Sequence, residues 1–213
     1  MWLQYSGSNT LTGNTLANHY TYALVLDHSD SNTISWNNII NNYSCRGILL
    51  QNSANNTLND IQLTSNYVGI WLDYSPSNTI SGNNGTNNDY GLYIYQSGDN
   101  TILENSFADN YVCGLVLDYS DNNTVSGNNL TSNDYGGIWL DNAGSNTLTE
   151  NECTGSHFGI CLNYSPNNTI SGNNGSSNDY GFYLDYSDNN QIVDNNLTLN
   201  WVALEAHYSN NGT

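Results

Sequence analysis

The stretch "DYSPSNTISGNNG", Asp73 to Gly85, returns ninety residues later as "NYSPNNTISGNNG", Asn163 to Gly175, and each copy holds one of the chain's two prolines. Within both copies sits a shorter rhyme. An Asn-Thr-apolar triplet occurs at Asn9, Asn32, Asn56, Asn78, Asn100, Asn123, Asn146 and Asn168, and a ninth copy reads Asn190-Gln191-Ile192. Successive copies lie 22 to 24 residues apart. A fixed period in that range marks a solenoid, in which each repeat is one supersecondary unit buried only by its neighbours. The ninety-residue echo is then a block of four coils laid over the basic repeat.

Counting from the triplet Thr gives the apolar columns. Nine residues before it stand Leu24, Ile48, Ile70, Leu92, Leu115, Ile138, Ile160, Phe182 and Leu204; two positions on come Leu26, Leu50, Leu72, Ile94, Leu117, Leu140, Leu162 and Leu184. A separation of two is the strand period, so both columns face inward. A third column follows the Thr, and a fourth lies six residues after it, broken by Gly85 and Gly175 in the two echoing coils. Turn residues separate these pieces, with Ser-x-x-Asn after the first strand. The reading is all-β: a parallel β-helix of about nine coils with three short strands each, a single rod over residues 1–213. Stacked at about 4.8 Å, nine coils rise roughly 43 Å. A leucine-rich repeat has a similar period, but its Leu-x-x-Leu half and helical return are missing. Two further columns are asparagine: the triplet Asn, and Asn42, Asn66, Asn88, Asn110, Asn133, Asn178 and Asn200. Amides carry donor and acceptor together, so stacked copies are expected to bond along the rod.

Charged residues make up 9% of the 213, the only basic side chain is Arg46, and formal net charge is −18. Such a surface repels phosphate backbones, which excludes nucleic acid as a partner and suits an exported protein. Disorder is opposed by 37% hydrophobic residues recurring in phase. No apolar run is long enough for a membrane-spanning helix. Met1-Trp2-Leu3 aligns with Ile70-Trp71-Leu72, so the chain is expected to start inside a strand, without a signal peptide.

"NNTISGNN…YGIWLDYSPSN" resembles the repeat of NosD-like proteins, also called periplasmic copper-binding repeats, which are abundant in surface proteins of methanogenic archaea. The resemblance covers the whole chain and implies a right-handed parallel β-helix. It is specific for fold and weak for function, because the same coil serves carbohydrate-active enzymes, accessory proteins and envelope proteins. The Asn/Ser/Tyr-rich, lysine-free composition is most similar to a sheath or surface-layer component.

Candidate chemistry is sparse. Lyases on this fold, as the resemblance implies, pair carboxylate-held calcium with an Arg or Lys base, and Arg46 in "NYSCRGILLQN" has no acid beside it in sequence. Asp27, Asp73, Asp118, Asp141 and Asp185 share a column after the first strand, interrupted by Gln51, Tyr95 and Asn163. They read as turn residues rather than a glycosidase pair, so no catalytic residue and no enzyme activity is expected. His19, His28, His157 and His207 lack ligand spacing, and the resemblance transfers no copper ligand and no cofactor. Asp118 with Asp121, and Asp185 with Asp188, are candidates for weak calcium binding, read here as solvated turns. Cys45 and Cys113 sit three coils apart, about 14 Å, beyond disulfide reach within one rod. Cys153 replaces a core aliphatic. Any disulfide is therefore expected between molecules, through Cys45, Cys113 or Cys161.

The sharper signal is an apolar column where polar side chains belong. Between the inward positions of strand one, Trp2, Val25, Leu49, Trp71, Tyr93, Val116, Trp139, Cys161 and Tyr183 point outward. Exposed, such a stripe exceeds the apolar patch that soluble monomers tolerate. It predicts a lateral interface between rods. Met1 and Leu3 at one end, with Leu204 and Ala206 at the other, predict an axial interface through open sheet edges. The expected function is a structural cell-envelope protein, extracellular and self-associating, polymerising end to end and side by side. The alternatives are a carbohydrate-active or glycan-binding β-helix, and a NosD-like metal-accessory protein. Sequons such as Asn42-Tyr43-Ser44 and Asn129-Leu130-Thr131 permit attached glycans.

Overall fold

The computed structural model describes residues 1–42 and 45–210. Among them every regular element is a strand, and all pairings are parallel. Sheet A has ten strands, from Trp2–Gln4 through Val68–Asp73 and Tyr90–Tyr95 to Val202–His207. Sheet B has nine, one for each triplet, from Thr10–Thr12 to Gln191–Val193. Sheet C has four, ending at Asn84–Thr86, and continues as single bridges from Ser106 through Asn129, Glu152 and Asn174 to Asn196. The chain is thus a parallel β-solenoid of about nine coils, and the third strand of each coil thins to one residue after the fourth.

Register follows the sequence columns. Ile70 pairs with Ile48 and Leu92, Leu72 with Leu50 and Ile94, and Ile80 with Leu58 and Ile102. These side chains form one continuous, solvent-free core along the axis. Gly85 and Gly175 break the fourth column for a steric reason. A Cβ on Gly85 would lie 2.7 Å from the Phe107 ring, and one on Gly175 would lie 2.8 Å from the Phe182 ring. In each echoing coil a phenylalanine from a neighbouring position fills the space that the missing side chain leaves.

The corners are built from amides and hydroxyls. The triplet Asn of each coil accepts, through Oδ1, the backbone N–H of the same Asn one coil earlier: Asn56 to Asn78 at 2.7 Å and Asn78 to Asn100 at 2.7 Å. The second expected column does the same, with Asn66 donating to Asn88 at 2.8 Å and Asn88 to Asn110 at 3.0 Å. A third amide ladder joins Asn83, Asn105, Asn128, Asn151 and Asn173. Ser29, Ser53, Ser75 and Ser97 form a fourth ladder through their hydroxyls. Buried donors left unpaired cost about 1–3 kcal/mol each, so these columns remove the penalty of turning inside a dry rod. Ala143 interrupts the serine ladder, and the Asn146 side-chain nitrogen is buried without a partner.

Candidate functional site

Strand alternation puts the stripe and the column two residues after it on the outer face of sheet A, and contacts such as Tyr90 on Tyr93, Phe158 on Trp139 and Arg46 on Trp71 bring a third column, three residues before the stripe, against it. The central one is the apolar stripe. On one side runs Arg46, Val68, Tyr90, Cys113, Gly136, Phe158 and Tyr180; on the other runs Asp27, Gln51, Asp73, Tyr95, Asp118, Asp141, Asn163 and Asp185.

The stripe is not uniformly open, which corrects the expectation of a bare interface. Val25, Leu49, Val116 and Cys161 are only 1%, 7%, 5% and 1% exposed. Large neighbours cover small ones within the same rod. Trp71 and Tyr93 stack at 4.5 Å between ring centroids. The guanidinium of Arg46, three residues before Leu49, lies 3.9 Å from the centre of the Trp71 ring. Phe158, three residues before Cys161, touches both Trp139 at 6.0 Å and Tyr183 at 5.4 Å. Trp2 remains exposed, and Trp71, Tyr93, Trp139 and Tyr183 are half-buried. Leu3, Leu204 and Ala206 lie on the outermost strands of sheet A, and Met1 directly precedes the first of them.

Between Tyr93 and Trp139 the stripe stays open. Val116 forms the floor of a slot of about 150 Å³ lined by Tyr90, Tyr93, Val112, Cys113, Tyr135 and Trp139. Tyr90 meets Tyr93 edge-on at 5.5 Å, and Tyr135 leans on Trp139 at 5.2 Å. Beside the slot the Tyr93 hydroxyl donates to Asp118 Oδ2 at 2.7 Å. Burial pushes the Asp118 carboxyl above the usual range, with the Asp141 charge adding to it and the Tyr93 hydrogen bond opposing it. Asp141 is the strand neighbour of Asp118, and its Oδ1 accepts the amides of Asn142 at 2.9 Å and Asn163 at 3.0 Å. Two coils below Asp118, burial also raises Asp73, against the Arg46 charge.

The acidic column therefore corrects a second expectation. These aspartates end the strands of sheet A, with their side chains on the aromatic face, rather than standing in solvated turns. The signal was present in their spacing, two residues after the stripe. The corner acids separate from them. Asp121 Oδ1 accepts the Gly144 N–H at 2.6 Å and Asp188 Oδ1 the Asn210 N–H at 2.6 Å, one coil above in each case. The pairs Asp118/Asp121 and Asp185/Asp188 thus divide between the outer face and the backbone of the next coil.

All four cysteines are buried and unpaired within the chain. Burial pushes the Cys113 thiol up to about 12 and raises Cys161 as well, which keeps both protonated and unreactive. Of the sequons, Asn129 is exposed and Asn42 is buried, while Tyr43 and Ser44 lie outside the described residues.

A parallel β-solenoid with an aromatic, acid-edged outer sheet is the class of protein that fold and face define. Residues 43–212 match the family described as periplasmic copper-binding protein (NosD), and the chain belongs to that family. No curated protein matches it. Among solved structures it is similar to a periplasmic alginate epimerase AlgG double mutant, with 18% identity and a TM-score of 0.69 over 88% of this chain and 47% of that one. The Dettilon tailspike protein gp208 gives 14% identity and a TM-score of 0.75 over 91% of this chain and 46% of that one. An alginate lyase from Paenibacillus sp. str. FPU-7 gives 12% and 0.66 over 93% and 78%. The chain spans about half the length of the first two, at 47% and 46%. At these identities the likeness is one of fold. It corrects the expectation that the chain is not an enzyme: an epimerase and a lyase are built on this coil stack, and the ground for excluding catalysis falls with the acids moved from the turns to the outer face.

Copper does not fit the residues present. Among the described residues no three His, Cys, Asp or Glu side chains converge. His28 pairs with Asp27, His157 with Asp179 and His207 with Glu205, all on separate coils, and the thiols are buried. No step is derived through a metal.

Proposed function

We propose that the chain is a secreted carbohydrate-active β-solenoid that holds a glycan strand across the outer face of sheet A, with Asp118 and Asp141 as its acid–base pair. One observation carries this reading: a carboxyl raised by burial stands on the strand beside a second carboxylate and accepts the hydroxyl of Tyr93, one wall of an aromatic slot. A carboxyl held toward its protonated form can donate to a glycosidic oxygen, while its neighbour attacks or activates water. Adjacent strands set the two backbones about 4.8 Å apart, which holds both carboxyls on one face of the sheet. Tyr90, Tyr93, Tyr135 and Trp139 supply flat apolar faces for sugar rings. The epimerase, lyase and tailspike structures support the class of protein, since each shares the coil.

The test is release of new reducing ends, together with retardation in gels cast with each of a panel of soluble polysaccharides. Cleavage that falls roughly a hundredfold or more in Asp118→Asn, with binding kept, is the expected result. Cleavage unchanged by that substitution, or neither retardation nor product with any glycan, overturns it.

A second reading keeps the expected lateral association, now confined to rings that remain accessible. Tyr164, Tyr186 and Tyr208 stack on one flank at 4.9 and 4.7 Å, all exposed, which gives a flat surface for a second rod. In this reading the partner is another copy of the chain in an envelope layer. Sedimentation of a Trp71→Ser/Trp139→Ser double variant distinguishes stripe from flank: unchanged self-association places the contact away from Trp71 and Trp139.

A further inference from the structure

Three of the small positions on the stripe differ in what lies over them. Over Leu49 the cover is a cation, the Arg46 guanidinium seated on Trp71. Over Cys161 it is a ring, Phe158, wedged between Trp139 and Tyr183. Over Val116 the residue three positions back is Cys113, and the next strand carries Gly136, so the space between Tyr93 and Trp139 is a slot, with Tyr90 and Tyr135 as its further walls.

Two positions after Val116 stands Asp118, whose Oδ2 accepts the hydroxyl of Tyr93, one wall of the slot, at 2.7 Å. We infer that the slot over Val116 is a binding site for an alkylammonium group.

Distance, charge and precedent within the rod agree. Tyr93 and Trp139 are two strands apart, about 9.6 Å, so a group midway lies about 4.8 Å from each ring, inside the roughly 6 Å over which cation–π attraction acts. A neutral sugar ring would gain the same stacking but nothing from the charge of Asp141, the strand neighbour of Asp118. A carboxylate would meet that charge in a chain of net charge −18. The rod already places its one basic side chain on this stripe, on Trp71, which stacks on Tyr93, the near wall of the slot. The inference deepens the glycan reading by giving the glycan a charge: an amino sugar is one carrier of the group, and a free quaternary amine is the other.

Ligand-observed saturation-transfer NMR on the whole chain tests it with tetramethylammonium chloride against tert-butanol, its neutral counterpart in shape. Glucosamine trisaccharide against N-acetylglucosamine trisaccharide identifies the carrier. Saturable binding of tetramethylammonium, of the free-amine trisaccharide, or of both is expected, with the neutral partner at least roughly tenfold weaker. Cys113→Phe places a ring where Phe158 sits in the covered position and is expected to abolish the signal; Trp139→Leu removes one wall and is expected to weaken it about tenfold. Unchanged chain fold is checked by circular dichroism, and two independent variants keep the result readable if one misfolds. Equal binding of charged and neutral partners overturns the ammonium assignment and leaves the glycan reading standing, as does binding indifferent to both variants. No binding by either cation also overturns it.

Discussion

Cys161 and Val116 occupy the same column, two strands apart, yet one is sealed and the other floors a slot. The inner faces of their strands are interchangeable: Leu115 and Leu117 pair with Ile138 and Leu140, which pair with Ile160 and Leu162. What differs is one outward side chain three residues earlier, Phe158 against Cys113. Core identity therefore says nothing about the face, and a rod with a monotonous interior can carry a local site.

Removing the seal should give the largest effect. Phe158→Ala deletes a buried ring and is expected to cost about 3 kcal/mol in urea unfolding, at the low end for Phe→Ala because the ring lies at the surface of the rod. It should also turn Cys161 from inert to labelled by a maleimide. An unlabelled Cys161 in that variant would mean that something other than Phe158 covers it.

Transplanting the slot is the next step. Phe158→Ala combined with Asn163→Asp reproduces the Cys113/Val116/Asp118 pattern over Cys161, and a second tetramethylammonium site of comparable strength is expected. A stoichiometry that stays unchanged would show that Tyr90 and Tyr135 matter more than the acid.

A smaller effect concerns the acid itself. Burial raises the folded-state carboxyl of Asp118 above its unfolded value, so the folded chain holds a proton that the unfolded chain has lost. Stability conferred by that proton is present below the unfolded value and is lost as pH rises through the folded one. Asp118→Asn removes the charge, and its stability relative to the parent should rise between pH 4 and pH 7, with no gain at pH 3. A gain that persists at pH 3 would point to packing instead of charge. The least effect is expected from Arg46→Gln, which lifts a cation off Trp71 and should cost about 1 kcal/mol or less at this partly exposed position.

Most of the fold was legible because every coil repeats the same inward Ile and Leu, and a period of 22 to 24 residues survives all substitutions. Two asparagine columns were legible for the same reason. The third, through Asn83 and Asn105, sits four residues after the triplet Thr with nearly the same regularity. The face was read less well, since alternation gives direction and not cover. Arg46 reaching over Trp71, next to the buried Leu49, is a matter of side-chain reach that no period encodes. From sequence the acids read as turn residues because the inward pattern ends at the second inward residue, one position before Asp73 or Asp118, whereas the strands run on to include them.

The amide ladders give the rod a direction. Every ladder oxygen looks back toward the preceding coil: Asn32 accepts from Asn9, Asn105 from Asn83 and Asn173 from Asn151, and Ser53 accepts from Ser29. Any coil thus offers acceptors on one side and donors on the other, like a row of plugs above a row of sockets. A block of coils can be copied or excised and the cut faces still mate, as the echo of Asp73–Gly85 in Asn163–Gly175 illustrates, but a block turned upside down cannot mate. Length is free to drift in such a molecule, while polarity is fixed at every step.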